Sequence, residues 1–409
     1  MRSRLWCVVV ALVGLSCGST SIGAQTVLSE ADALARLSNE SPRVRAIRSA
    51  IEVAQAGVLA GARWPNPRLT FDRESVAGIR ETILTVAQPL PITGRRDLER
   101  DAASALVEAA TSRSDDEMRR ARADLRLAFT ALAAAQERER DLTRARDRLQ
   151  GLADVLAKRE AAGEGAGFDR LRSEREVLDL DADRAAASSE RARAQATLAS
   201  FFAIGVDPAT LVAADLAPGR GTEIPPVEAL FEQAETARGE LLALRHEIDS
   251  ARFAERAADR RAIPEPELVA GTKTSTALGG DVGSVFAVQA VLPLFDHGHP
   301  EKALATARAH RAEAQLDTLR LSLRAEIIAL RTAVLERRGA AERYRAAAAS
   351  SAELERIAQL SYAAGERGIL ELLDAYRSAA VAQGRQVTLD VAARQVEIEL
   401  GFVSGWEMP

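Results

Sequence analysis

The chain has 409 residues, of which 28% are charged and only 4% aromatic, with a formal net charge of -5. So few aromatics argue against a compact aromatic core and for long helices meeting through small side chains. The mild acidity, with no basic patch set against it, argues against nucleic acid as a partner.

Residues 1–24 read as a secretory leader: Arg2 and Arg4, an apolar stretch from Leu5 to Leu15, then small residues to Ala24. Both cysteines, Cys7 and Cys17, fall inside it, so cleavage near Ala24 leaves a chain without a disulfide. A lipidated Cys17 is the alternative, although Gly14-Leu15-Ser16 departs from the motif that directs it. Beyond residue 25 no apolar run reaches the roughly 20 residues of a membrane-crossing helix, so any span must be made of strands.

The next element is a helix over about 29–63, with Ser29 as N-cap and Asp32 in its first turn. Pro65 and Pro67 stop it and push the chain into extended geometry. Strands are predicted at about 69–75 and 81–88, flanking a hairpin turn at 76–80. Leu69 and Phe71 share a face opposite Thr70, Asp72 and Glu74, with Arg73 on the apolar side. Pro89, Pro91 and Gly94 mark the second break. From Arg95 to Ala162 no proline intervenes, and a helix of that length extends roughly 100 Å, more than a compact domain holds. Met118, Ala121, Leu125, Ala128, Leu132 and Ala135, then Leu142, Leu149, Leu152 and Leu156, form a heptad seam that Glu139 and Arg146 interrupt. A Gly-rich turn at 163–165 leads to a partner helix over about 168–202.

Then the pattern repeats. Leu90-Pro91-Ile92 recurs as Leu292-Pro293-Leu294, and Ala161-Ala162-Gly163-Glu164 as Ala363-Ala364-Gly365-Glu366, both at a shift of 202 residues. Trp64-Pro65-Asn66-Pro67 answers Ile263-Pro264-Glu265-Pro266 at a shift of 199. The chain therefore divides into a first repeat at 25–204, an irregular connection at 205–226 and a second repeat at 227–409. The second repeat has strands at about 268–275 and 284–291, breaks at Pro264, Pro266 and Pro293, and long and short helices at about 301–362 and 370–402. Phe286, Val288 and Ala290 share one strand face. Two hairpins cannot close a barrel, so strands in a bilayer would have to be completed by neighbouring subunits.

A duplicated helix, hairpin, long helix and Gly turn behind a leader resembles the TolC-like outer-membrane efflux family. The segments Arg63-Trp64-Pro65-Asn66-Pro67, Gln88-Pro89-Leu90-Pro91, Thr93-Gly94-Arg95-Arg96 and Leu292-Pro293-Leu294-Phe295-Asp296 resemble its cobalt-zinc-cadmium branch. The resemblance implies a mainly α fold with a small β part: a homotrimer with a 12-stranded β-barrel in outer-membrane lipid and a helical tunnel in the periplasm. Such a duct is no enzyme and needs no cofactor. It docks on a periplasmic adaptor protein and an inner-membrane RND pump that supplies the energy, and this branch carries heavy-metal cations; organic toxicants or secreted polypeptides are the alternative cargo.

The resemblance also assigns the turns. Gly163, Glu164 and Gly165, with Gly365, Glu366 and Gly368, would be hairpin tips where the adaptor docks. Asp169, Tyr362, Arg367, Glu371 and Asp374 fall at its periplasmic gate: Asp169 as partner of Tyr362 and Arg367, and the two later carboxylates as a constriction. Three copies of those carboxylates about an axis would attract cations. Without the resemblance they are ordinary polar residues at a helix start. His297 and His299 supply two ligands on a loop, an incomplete metal site, so no metal centre is expected. No nucleophile elbow, phosphate loop or HExxH occurs. A periplasmic coiled-coil adaptor or scaffold is the competing reading, but it calls for a compact domain where this chain has isolated hairpins.

Overall fold

The computed structural model describes residues 26–61, 63–164, 167–215 and 223–406. The leader, Gly165 and 216–222 of the connection lie outside them. A short strand β1 (Thr26–Leu28) leads into α1 (Glu30–Ala35), where Ser29 Oγ accepts from Asp32 N at 3.1 Å and Asp32 accepts from Ser29 N in return. The opening helix is not continuous to residue 63, as its pattern predicts. It ends at Ala35, and α2 (Pro42–Gly61) restarts it. Pro42 lacks an N–H and disfavours helix at Ser41, yet suits the first position of a new helix.

Strands β2 (Arg68–Val76) and β3 (Ile79–Pro89) are longer than predicted and close on a two-residue turn, Ala77-Gly78, both at positive φ. Then α3 (Arg95–Ala161) and α4 (Gly167–Ala199) form the first hairpin of the rod. The connection is less irregular than its composition suggests, because β4 (Leu211–Ala213) pairs in parallel with β1. The second repeat opens as α5 (Val227–Ala237) and α6 (Gly239–Asp259), broken at Arg238 as the first is broken before Pro42. It continues through β5 (Pro266–Ser275) and β6 (Asp281–Ala290) to α7 (His299–Ala363) and α8 (Ile369–Ser404). The strand expected at 284–291 thus starts earlier and stops before Val291. Pro266 and Pro89 are strand residues rather than breaks, since proline is tolerated where a strand begins or ends.

The heptad seam is buried at Ala121, Leu125, Ala128, Leu132, Ala135, Leu149 and Leu156. Its two interruptions reach the partner helix: Glu139 pairs with Arg191 at 3.0 Å and Arg146 with Asp181 at 3.3 Å. Both long helices start from a left-handed glycine, Gly94 at φ 72° and Gly298 at φ 80°. A Cβ on Gly298 would stand 2.4 Å from the Ala258 carbonyl oxygen. At the same level the two repeats are bolted together, because Thr93 Oγ1 donates to Glu265 at 2.7 Å and Arg95 at 3.0 Å. Burial would raise the Glu265 carboxyl, but these bonds outweigh it and hold the group below its ordinary range.

A second bolt lies further along α3. Asp116 pairs with the buried Arg238 at 3.2 Å and accepts from Gly239 N at 3.1 Å. Arg119 beside it donates to the carbonyls of Ala237 and Phe402. The Phe402 ring lies 4.6 Å under the Arg238 guanidinium. Gly239 admits no side chain: a Cβ there would fall 1.9 Å from the Ser112 carbonyl oxygen. Hence the α5–α6 break, the start of α6 and the end of α8 are all fixed against one turn of α3.

Candidate functional site

Two regions carry the features that a function can use: the helix tips and the sheet. At the tips, Leu149 and Leu156 of α3, Val177 of α4, Ala358 of α7 and Ile369, Leu372, Leu373 and Tyr376 of α8 form one buried cluster, with Tyr362 packed against it. That cluster brings the two Gly turns to the same end of the rod. Gly163 and Gly365 end their helices at φ 83° and 72°, while Gly368 is extended and caps α8. Glu164 and Glu366 are exposed beside them.

Of the expected gate residues, Asp169 lies in the first turn of α4, half-buried, and Tyr362 is half-buried at the end of α7. Arg367, Glu371 and Asp374 are exposed, the two carboxylates three residues apart on the first turns of α8. Among the described residues no hydrogen bond or ion pair joins Asp169 to Tyr362 or Arg367 within the protomer. The tips are instead held by residues the sequence did not single out. Arg170 bridges Glu160 and Glu174 across the first turn, and Arg377 of α8 pairs with Glu176 of α4. Arg148 pairs with Glu355 at 3.3 Å. An i,i+4 spacing was the one available signal, at Arg170–Glu174; Arg170–Glu160 spans the turn, and the Arg377 and Arg148 pairs join the two repeats.

His297 and His299 sit before and at the start of α7 with rings 6.0 Å apart. Among the described residues no group of three or more His, Cys, Asp or Glu side chains could hold a metal. Of the predicted breaks, Pro65 and Pro67 lie between α2 and β2, Pro91 and Gly94 between β3 and α3, Pro264 before β5, and Pro293 between β6 and α7.

The sheet has the order β2-β3-β5-β6, all antiparallel, with β3–β5 joining the two repeats. Its register merges the two apolar strand faces read separately in the sequence. Leu69 pairs with Val86, Val86 with Ala270 and Ala270 with Phe286, and one row along Phe71 pairs with Leu84. Cross-strand partners share a face, so these residues form one apolar surface together with Leu268 and Val288. It is exposed, with Phe286 at 78%, Val288 at 73%, Leu69 at 68% and Phe71 at 64%. Arg68, Asp72, Glu74, Glu81, Glu267, Lys273 and Asp281 occupy the other face. Arg68–Glu267 at 3.7 Å and Lys273–Glu81 at 2.7 Å are its ion pairs. Strands of 9, 11, 10 and 10 residues match the roughly 9–11 residues a tilted strand needs to cross a bilayer. No described helix is long and apolar enough to do so.

A family model described as outer membrane efflux protein matches residues 230–405. No curated protein matches the sequence. Among solved structures, the chain is similar to a membrane protein from Pseudomonas aeruginosa at 19% identity, with 92% of each chain covered and a TM-score of 0.76. It is also similar to CusC, a protein studied for folding and transmembrane channel formation, at 16% identity, 92% of each chain and a TM-score of 0.75. The CmeC outer membrane channel of Campylobacter jejuni matches at 12% identity over 98% of this chain and 94% of its own, with a TM-score of 0.76. The chain thus matches the outer membrane efflux protein family over residues 230–405 and has the fold of outer-membrane channels over nearly its whole length.

Proposed function

We propose that three copies of this chain close into an outer-membrane duct, the passive exit limb of a tripartite efflux assembly completed by a periplasmic adaptor and an inner-membrane RND pump. One observation carries the reading: sheet and helical layer are open at matching edges. The free edges of the sheet are β2 and β6, which in an antiparallel sheet of even strand number can pair antiparallel with those of a neighbour. In the helical layer α2 packs on α3, α3 on α6 and α6 on α7. Its flanks are therefore α2, which runs into β2, and α7, which follows β6. Along α7, Leu321, Ile328 and Leu335 are exposed at seven-residue intervals, a coiled-coil seam with no partner in the protomer. Native mass spectrometry of the detergent-extracted protein should give a trimer that conducts in planar bilayers; a water-soluble monomer would support the scaffold reading instead.

The branch resemblance at 63–67, 88–96 and 292–296 favours heavy-metal cations as cargo. Deleting the gene should lower tolerance to at least one of zinc, cobalt, cadmium, nickel and copper. Unchanged tolerance to all five turns the cargo to organic toxicants or secreted polypeptides.

In this reading, which rests on the resemblance, Asp169, Tyr362 and Arg367 latch between neighbouring helices, and Glu371 and Asp374 ring the constriction. Adaptor docking at the tips would favour the unlatched state. Asp169→Ala and Arg367→Ala should each raise the resting conductance of the reconstituted trimer several-fold, the scale of ~1 kcal/mol for a lost charge-assisted bond. Resting conductance equal to wild type in both variants removes the latch.

A further inference from the structure

The sheet sorts its cations unequally. On the polar face Arg68 and Lys273 stand among five carboxylates and both are paired. On the apolar face the four strands carry two charged residues, Arg73 and Arg80. Both are exposed, and among the described residues neither guanidinium has an ion pair or hydrogen bond. Arg73 pairs across the strands with Thr82, and Arg80 with Ser75. The two arginines are therefore diagonal neighbours, roughly 7–8 Å apart at the backbone, so two long side chains can converge on one group. Left alone, they repel each other on a face that carries no carboxylate. Asp72, Glu74 and Glu81 are close in sequence but point to the opposite face and cannot neutralise them.

Their height on the sheet matters as much as their charge. The apolar rows occupy the half nearer the helices. Arg73 and Arg80 lie at the other end, beside the Ala77-Gly78 turn. Thr82 and Thr274 stand in the row of Arg73, and Thr272 and Ser284 in the next row toward the helices, so hydroxyl donors share their face. If the helices lie in the periplasm, as the proposed duct requires, this end reaches the headgroups of the outer leaflet, which in such a membrane is built from phosphorylated glycolipid. The geometry points to a phosphate clamp, in which Arg73 and Arg80 together hold a glycolipid headgroup phosphate against the outward face of the sheet, on the strength of the duct reading. Paired guanidinia give the charge-assisted, forked donors that a phosphate takes up best.

The test uses the purified trimer in phosphatidylcholine vesicles doped with lipid A carrying its phosphates or with dephosphorylated lipid A. Lipid retained per trimer after mild detergent extraction is counted by mass spectrometry. Wild type should retain phosphorylated lipid A roughly tenfold over Arg73→Gln/Arg80→Gln, with Arg73→Lys/Arg80→Lys between them and no retention of the dephosphorylated form. Equal retention by wild type and the Gln double variant overturns the clamp, as does equal retention of the two lipids by wild type. Trimer mass and conductance are measured on the same samples. A conducting trimer without phosphate preference removes the clamp alone; a wild type that neither trimerises nor conducts removes the clamp and the duct together.

Discussion

Asp116→Ala should lower the stability of the folded chain by about 3–5 kcal/mol, the usual cost of removing one partner of a buried ion pair. The carboxylate stands between two guanidinia. Its loss leaves Arg238, buried at 6% exposure, facing Arg119 with only the more distant and more exposed Glu240 carboxylate, at 3.6 Å, to offset it. Burial already pulls Arg119 below its ordinary range, Asp116 offsets that pull and Arg238 adds to it, so deleting the offset sharpens the conflict. Gly239 N would also lose its acceptor, and the close fit of Gly239 on Ser112 leaves no slack for α6 to shift toward another. Asp116→Asn keeps an acceptor for that N–H and should cost less. Denaturation midpoints of the two variants in detergent, against wild type, give the measurement; equal midpoints for Asp116→Ala and wild type would show that the bolt contributes nothing.

Phe286→Arg should block insertion into the outer membrane, whereas Gln289→Arg should not. The two positions lie three residues apart on β6 and face opposite sides of the sheet. A lipid-facing arginine near mid-membrane costs about 2–4 kcal/mol, and the proposed trimer would meet that cost three times. On the polar face a new arginine joins a surface already rich in carboxylates. Membrane fractionation of the two variants decides the matter. Insertion of both would mean that Phe286 does not face lipid, and failure of both would mean that strand pairing rather than polarity had been disturbed.

These contrasts also mark what the sequence conveys. The prolines at 65, 67, 89, 91, 264, 266 and 293 and the long heptad runs announce element types and the duplication, because each acts locally on the backbone. The break before Pro42 and its counterpart at Arg238 were hidden by helical patterns continuing on both sides. The pairing of β1 with β4 left no trace either, since three residues are too few to set a period. Arg73 was visible as an exception on its strand. That Arg80 joins it, and that Leu69 and Phe286 share one surface, depends on a register running through all four strands. At the tips the resemblance singles out Asp169, Tyr362, Arg367, Glu371 and Asp374 as a proposed gate. The salt bridges that hold the hairpins could not be read, because Arg377 and Glu176 are 201 residues apart.

The central strand pairing has a consequence for the order in which the molecule takes shape. Glu81 on β3 finds its partner at Ser275 on β5, so the middle of the sheet cannot form until the second half of the polypeptide has been made. Before then the first hairpin is a lone two-stranded ribbon, marginal in water, and the ends of a long intervening loop must be brought together before any contact rewards it. The early chain is thus biased toward helix and away from sheet. In the proposed duct the apolar surface comes into being late, when the copies it would join can already be present.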